Sequence, residues 1–172
     1  MFNTLIASGV VFLQLVILFL FVAILTDSPV LPRIAPWTTI SLRVLFVGGA
    51  FISLVYEYIF LYAPCMLCWY QRIAIFGIAI LALTGNVQKS ALLRKQISIF
   101  ALGGLLFALF HNIIDIFPTG VDVCGANGPS CLARYIYEFG YITIPMMALT
   151  VLSLGLLLVY IAKRFPHTTL AE

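Results

Sequence analysis

The sequence predicts an all-α integral membrane protein. Of its 172 residues, 63% are hydrophobic and only 9% are charged, which leaves too little polar surface for a soluble domain. Five apolar runs have lengths near the ~20 residues that cross ~30 Å of hydrocarbon. They cover residues 5–25, 42–62, 69–84, 97–114 and 141–162. The third run is short, so its helix either begins at the headgroup level or extends back through the preceding cysteines.

The first apolar run predicts a retained helix rather than a cleaved signal peptide. Residues 1–9 contain no Lys or Arg, and the run over residues 5–25 is long for the apolar part of a signal peptide. Residues 26–29 also make a poor small-residue cleavage site. Residues 26–41 contain three prolines and Trp37, which favours an extended connector that reaches the membrane interface.

The distribution of Lys and Arg across the short loops predicts the orientation. If the spans alternate, one side of the membrane receives seven basic residues: Arg33, Arg43, Lys89, Arg94, Lys95, Lys163 and Arg164. Only Arg72 and Arg134 lie near the other side. We therefore expect a cytoplasmic carboxyl terminus, with all four cysteines on the extracytoplasmic side, where disulfides persist. The net charge of +3 reflects these membrane anchors and gives no sign of a nucleic-acid partner.

The four cysteines form two pairs that suggest electron transfer. Cys65 and Cys68 form a Cys-x-x-Cys motif, whereas Cys124 and Cys131 flank a Gly- and Asn-rich turn that lets their sulfurs come within disulfide range. Two thiol pairs exchange electrons two at a time, and the electrons need a final acceptor. The sequence has no flavin or nicotinamide fingerprint and only two histidines. A lipophilic quinone is therefore the predicted acceptor.

Cys68 is the sulfur that we expect to lie next to this acceptor. It lies at the start of the third spanning helix, where the helix dipole favours an anion, and Arg72 follows one turn later. Both effects are expected to lower the pKa of the thiol. Arg72 is also placed to donate a hydrogen bond to a quinone oxygen, and its alternative role is that of an interfacial anchor.

Other polar residues near the same side are weaker candidates. His111 ends the fourth helix, where Asp115, four residues on, is placed to hydrogen-bond it. Glu57 lies in an apolar helix, so it is either functional or paired with a neighbour. The tyrosines between positions 56 and 70 are expected to form an aromatic belt. Residues 132–139 have apolar residues at helical spacing, which predicts a short amphipathic helix on the membrane.

One segment resembles the signature of a known family. It reads Pro64-Cys65-Met66-Leu67-Cys68-Trp69-Tyr70-Gln71-Arg72-Ile73, and this is similar to the motif of the DsbB/BdbC disulfide-bond-formation proteins, especially the BdbC branch. His111, thirteen residues ahead of Cys124, and Ile144-Pro145 at the opening of the last helix extend the resemblance. It covers about residues 42–162.

The resemblance implies a four-helix redox bundle over residues 42–162. Residues 1–41 then form an extra helix with its linker, and residues 163–172 a cytoplasmic tail. Such a bundle is expected to reoxidise a DsbA-like thioredoxin-fold dithiol oxidase and to pass the electrons to ubiquinone or menaquinone in the lipid bilayer of a bacterial inner membrane.

The resemblance also implies a role for each site residue. Cys124 would form the mixed disulfide with the partner, and Cys131 would be its mate in the resting disulfide. Cys65 would exchange with that pair. Cys68 would face the quinone beside Arg72, with His111 lining the same end of the bundle.

Two features depart from the family pattern. The extra amino-terminal span has no assigned role, and only six residues separate Cys124 from Cys131. Whether Cys131 or Cys124 reaches Cys65 is therefore open at this stage. Three alternative classes are a vitamin K epoxide reductase-like enzyme, a four-thiolate zinc protein and a transporter with structural disulfides.

Overall fold

The computed structural model describes residues 1–117, 124 and 129–166. Five helices in this part of the chain are long and apolar enough to span a membrane, so the predicted all-α, multi-pass membrane architecture is confirmed. The elements in chain order are α1 (Phe2–Leu25), α2 (Val30–Ile34), a 3-10 turn (Ala35–Trp37), α3 (Thr38–Tyr58), α4 (Met66–Thr84), α5 (Ala91–Ile116) and α6 (Ile144–Arg164).

The predicted extended connector is wrong. The helix α2 and the 3-10 turn run directly into α3, so that a single apolar stretch of 29 residues is helical from Val30 to Tyr58. The prolines do not interrupt it, because Pro29 precedes the first residue of α2, Pro32 lies in the first turn of α2, and Pro36 lies in the first positions of the 3-10 turn. Proline is tolerated in the first turn of a helix, where its missing N–H has no intrahelical acceptor.

Helices α3 to α6 pack into one bundle. Helix α4 lies along α5, α5 lies along α6, and α3 contacts both α4 and α6. Gly104 lets α5 approach its neighbours, since a Cβ added there would lie 2.6 Å from the Cβ of Ala74 and 3.1 Å from Leu152. Gly155 on α6 similarly makes room for the buried ring of Phe46.

Helix α1 lies at the periphery of this bundle and contacts mainly α6. Polar side chains fix its position in the middle, where Gln14 donates to Thr150 Oγ1 at 3.2 Å and accepts from the Tyr141 hydroxyl at 2.8 Å. Arg164 pairs with Asp27 at 2.5 Å at the far end. An apolar helix is thus held in register by hydrogen bonds that a lipid environment does not offer.

Residues 132–139 are mostly irregular, with a turn at each end, and do not form the predicted amphipathic helix. Their backbone makes one isolated antiparallel bridge between Glu138 and Ile142, and Phe139 and Gly140 have positive φ angles of 52° and 78°. These angles reverse the chain, which ends any helical path. Ile136 is 3% exposed, so it packs into the protein and not into the membrane.

Candidate functional site

The start of α4 places the Cys-x-x-Cys motif at one end of the bundle. Cys65 is the N-cap residue, and its sulfur accepts a hydrogen bond from the Cys68 backbone N–H at 3.4 Å. The helix therefore extends back through the motif, which is one of the two starting points that the sequence allowed. The sulfurs of Cys65 and Cys68 are 3.1 Å apart and both residues are free thiols.

The second pair lies at the same end of the bundle. Cys124 and Cys131 form a disulfide with their Cα atoms 5.7 Å apart, as the sequence predicted. Cys65 and Cys131 are both buried, and the four cysteines pack in one cluster with Leu67 and Ile114. The structure thus holds the outer pair oxidised and the Cys-x-x-Cys pair reduced.

Cys131 is the residue of the outer pair that meets Cys65. The sulfurs of Cys65 and Cys131 and a ring nitrogen of His111 all lie within 4.8 Å of one another. This trio resembles a metal-binding group in geometry, but the Cys131 sulfur is already bonded to Cys124. The four-thiolate zinc alternative needs the sulfurs of Cys124 and Cys131 as free thiolates, whereas the structure joins them.

His111 has partners other than the predicted Asp115. Its Nδ1 is 3.1 Å from the side-chain amide nitrogen of Gln71, and its Nε2 is 3.0 Å from the Cys131 carbonyl oxygen. A neutral ring with its proton on Nε2 satisfies both bonds, because Nδ1 then accepts from the amide and Nε2 donates to the carbonyl. His111 therefore ties α5 to α4 and to the backbone of the outer pair.

Asp115 is engaged by the loop instead. Arg134 donates to the Asp115 carboxylate at 2.5 Å and also to its backbone carbonyl. The hydrogen bond that Arg134 donates to this carboxylate raises the pKa of Arg134. The predicted contact between His111 and Asp115 is wrong, because Arg134 binds the carboxylate instead. Arg134 lies in the loop, 19 positions from Asp115, so helical spacing in the sequence did not indicate this contact.

Arg72 is buried and is not an anchor that reaches the headgroups. It is 7% exposed. Its Nε donates to Ser53 Oγ at 2.7 Å, one terminal nitrogen donates to the Ser53 carbonyl at 2.6 Å, and the other pairs with the Glu57 carboxylate. Glu57 is thus paired with a neighbour, which is one of the two roles that the sequence predicted for it. The guanidinium also lies 5.5 Å from the Trp69 ring centre.

The thiolate favoured by the helix start is that of Cys65. The sequence predicted a lowered pKa for the thiol of Cys68, but Cys65 is the residue that caps α4. A hydrogen bond with the Cys68 thiol, together with backbone N–H groups, lowers the pKa of Cys65 to about 7, although burial acts in the opposite direction. Such a thiol is a nucleophile at neutral pH.

A cavity of about 470 Å³ opens beside these groups. Its polar wall includes Cys68, Gln71, Arg72 and His111, while its remaining lining is mostly apolar. Two further wall residues, Tyr56 and Thr143, are 5% and 4% exposed. Among the described residues their hydroxyl oxygens have no hydrogen-bond partner. Buried hydroxyls without partners are uncommon in proteins.

Sequence reasoning missed four residues of this site. Gln71 and Ser53 hold His111 and Arg72, and Tyr56 and Thr143 line the cavity. A polar residue inside an apolar helix is the signal that would have found Gln71 and Ser53. Tyr56 was expected in an aromatic belt, but it is buried and stacks on Tyr62 with ring centres 5.8 Å apart.

Comparison with known proteins gives one consistent result. The family model for disulfide bond formation protein DsbB matches residues 32–162. The SPbeta prophage-derived disulfide bond formation protein B of Bacillus subtilis (strain 168) is 32% identical over 120 residues, which are 67% of this chain and 81% of that protein. Disulfide bond formation protein C of the same bacterium is 30% identical over 131 residues, 75% of this chain and 90% of that protein. A probable disulfide formation protein of Chlamydia pneumoniae is 29% identical over 119 residues, 69% and 85% of the two chains. No solved structure gives a significant match.

Proposed function

This chain belongs to the DsbB family of disulfide bond formation proteins, and we propose that it reoxidises a DsbA-like thioredoxin-fold oxidase and passes the electrons to a membrane quinone. Membership of this family implies a membrane thiol oxidase. The DsbA-like partner and the quinone acceptor are what we propose. The observation that carries it is the approach of Cys65 and Cys131, whose sulfurs lie within 4.8 Å. Electrons can move between thiol pairs only where sulfurs meet in this way.

The outer exchange begins at Cys124. A thiolate of the partner attacks the Cys124 sulfur, a partner–Cys124 disulfide forms, the Cys124–Cys131 bond breaks, and Cys131 leaves as a thiolate. The partner's second thiolate then attacks its own half of the mixed disulfide and releases Cys124. The partner has lost two electrons and two protons, and it leaves as the disulfide.

The inner exchange joins Cys131 to Cys65. When Cys65 and Cys68 are disulfide-bonded, the Cys131 thiolate attacks Cys65 and Cys68 leaves as a thiolate. Cys124 then attacks Cys131, which restores the outer disulfide and releases Cys65. This sequence ends with the outer pair oxidised and the inner pair reduced, the redox state that the structure has. His111 orients the attack because it holds the Cys131 carbonyl.

The cavity beside Cys68 fits a quinone. Its apolar lining suits a lipophilic ring, and Cys68 and Arg72 in the same wall supply polar neighbours for the ring's oxygens. A bound ubiquinone or menaquinone supplies the acceptor for two electrons and two protons. Arg72 uses three of its five N–H donors on Ser53 and Glu57. Its charge stabilises the Cys68 thiolate, and its remaining donors are available to an oxygen in the cavity.

The orientation and the division of the chain are part of the same proposal. Both cysteine pairs face the extracytoplasmic side of the inner membrane, and the carboxyl terminus is cytoplasmic, because the basic loops favour that arrangement. Residues 42–162 form the redox bundle, with residues 1–41 as an additional helix and linker and residues 163–172 as a tail.

The test is anaerobic absorbance of a short-chain quinone while the purified protein is mixed with a reduced thioredoxin-fold oxidase. We expect the wild type to reduce the quinone, and Cys65→Ser and Cys124→Ser to abolish the reaction. Ser153→Ala, on α6 and away from the cysteines, is the matched control and should keep wild-type turnover. Undiminished turnover in either cysteine variant, or no reduction of ubiquinone and menaquinone analogues by the wild type, would overturn the proposal.

A further inference from the structure

Helix α1 lies outside the segment that matches the family, which begins at residue 32, yet it forms one wall of the cavity. The wall consists of Leu5, Ile6, Gly9, Val10, Phe12 and Leu13. These residues extend over eight helical steps, or about 12 Å along the helix axis. Helix α1 therefore forms one long side of the cavity, and Cys68 and Arg72 line the same cavity.

The opposite wall belongs to α3. Val44, Gly48 and Ile52 line it at helical spacing. Gly9 and Gly48 both face open space, because a Cβ added at either position would meet no atom within 4 Å. An apolar slot thus lies between α1 and α3, and the two glycines leave it open.

The slot joins a polar end of the same cavity. The ring of Phe2, at the start of α1, lies 6.0 Å from the ring of Tyr56. The slot therefore leads from the level of Tyr56 toward Leu13, deeper along α1, and Ser53, Cys68 and Arg72 line the polar part of the cavity. A polar end followed by a narrow apolar slot is complementary to a ligand with a polar head and one long apolar chain.

We propose that α1 and α3 bind the polyprenyl tail of the quinone in this slot, so that α1 sets the preference of the enzyme for a long-tailed acceptor. The inference rests on the proposed function, because it names the part of the quinone that this wall takes. Phe12 and Leu13 supply apolar contacts, and each buried methylene of the tail adds to the affinity. The hydrogen bonds of Gln14 to Thr150 and Tyr141 keep the wall in place.

The experiment compares two quinones that differ only in the tail. Binding of decyl-ubiquinone and of tail-less ubiquinone-0 is measured by quenching of the intrinsic tryptophan fluorescence, with a menaquinone-2 and menadione pair alongside. The variants are Gly9→Leu and Gly48→Leu, whose side chains would occupy the slot. Gly103→Leu is the matched control, since Gly103 also faces open space on α5 but does not line the cavity.

We expect both slot variants to bind the tailed quinone about tenfold more weakly, which is ~1.4 kcal/mol, and the tail-less quinone as the wild type does. Gly103→Leu should leave both affinities unchanged. Equal loss for tailed and tail-less quinones, or no loss at all, would overturn the tail site. Failure of the wild type to bind any of the four quinones would instead overturn the proposed function.

A second measurement on the wild-type protein is independent of how the variants fold. A quinone with a photoreactive diazirine at the end of its tail is irradiated in the presence of the protein, and the labelled peptides are identified by mass spectrometry. Labelling of residues 5–13 supports the proposal. Labelling confined to α5, or to α6 beyond Val151, overturns it and places the tail on another face. Displacement of the probe by phospholipid alone also overturns it, because the slot would then take lipid acyl chains.

Discussion

The sulfur of Cys65 lies within 4.8 Å of the sulfur of Cys131, although the two residues are on different segments and 66 positions apart in the chain. Cys131 is disulfide-bonded to Cys124, so the two redox pairs meet through one sulfur from each. The short sequence separation of Cys124 and Cys131 does not prevent this contact, because His111 holds the Cys131 backbone next to α4.

The contact predicts which cysteines can be trapped together. In a Cys68→Ser/Cys124→Ser variant, the two remaining thiols are Cys65 and Cys131, and mild oxidation should join them in a disulfide. In Cys68→Ser/Cys131→Ser the remaining thiols are less well placed, and cross-linking should be roughly tenfold slower or more. Non-reducing peptide mass spectrometry measures both products. Faster cross-linking of Cys65 to Cys124 would assign the relay to the other sulfur.

The hydrogen bond between the thiols of Cys65 and Cys68 predicts a pH dependence. Because it lowers the pKa of Cys65 to about 7, a larger share of this thiol is ionised at pH 7 than the few per cent expected at the ordinary pKa of ~8.5. Thiolate absorbance near 240 nm should therefore rise with a midpoint near pH 7 in the reduced protein. Cys68→Ala removes the donor, so the midpoint should move to higher pH and leave less thiolate at pH 7. Cys68→Ser keeps a hydroxyl donor and should move it less; an unchanged midpoint in Cys68→Ala would contradict this cause.

The ion pair of Arg72 and Glu57 predicts a loss of stability. Glu57→Ala leaves the buried guanidinium without its counter-charge, which typically costs about 3–5 kcal/mol. Glu57→Gln keeps one hydrogen bond and should cost less. The control is Asp27→Asn, which breaks the exposed pair with Arg164 and should change stability by only ~0–1 kcal/mol. Thermal unfolding in detergent measures all three variants, and equal effects of Glu57→Ala and Asp27→Asn would argue against a buried pair.

The contact at Gly104 predicts a packing defect on α5. Gly104→Ala places a Cβ 2.6 Å from that of Ala74, on the adjacent helix, so one backbone must shift. The cost should be about 1–3 kcal/mol. Gly103→Ala, one residue away, meets nothing within 4 Å, and it should be neutral or stabilising by up to about 1 kcal/mol. Thermal unfolding again provides the measurement, and similar melting temperatures for the two variants would show that α5 and α4 are not packed as described.

The sequence by itself determined the class of the protein, its five spans and its two cysteine pairs. These features depend on local properties, since an apolar run long enough to cross the hydrocarbon must form a helix there. The Cys-x-x-Cys motif at the start of α4 and the disulfide between cysteines seven positions apart are also local, because short chain segments restrict where their sulfurs can lie.

Only the tertiary structure decided which polar groups meet. His111 bonds to Gln71 and to the Cys131 carbonyl and not to Asp115, and Arg72 pairs with Glu57 across two helices. These partners lie on other segments, and a helical period shows which face a residue occupies but not which helix packs on that face. The same reason applies to α1, whose contribution to the cavity depends on its packing beside α3 and α6 and is not encoded in its nearly uniform apolar sequence.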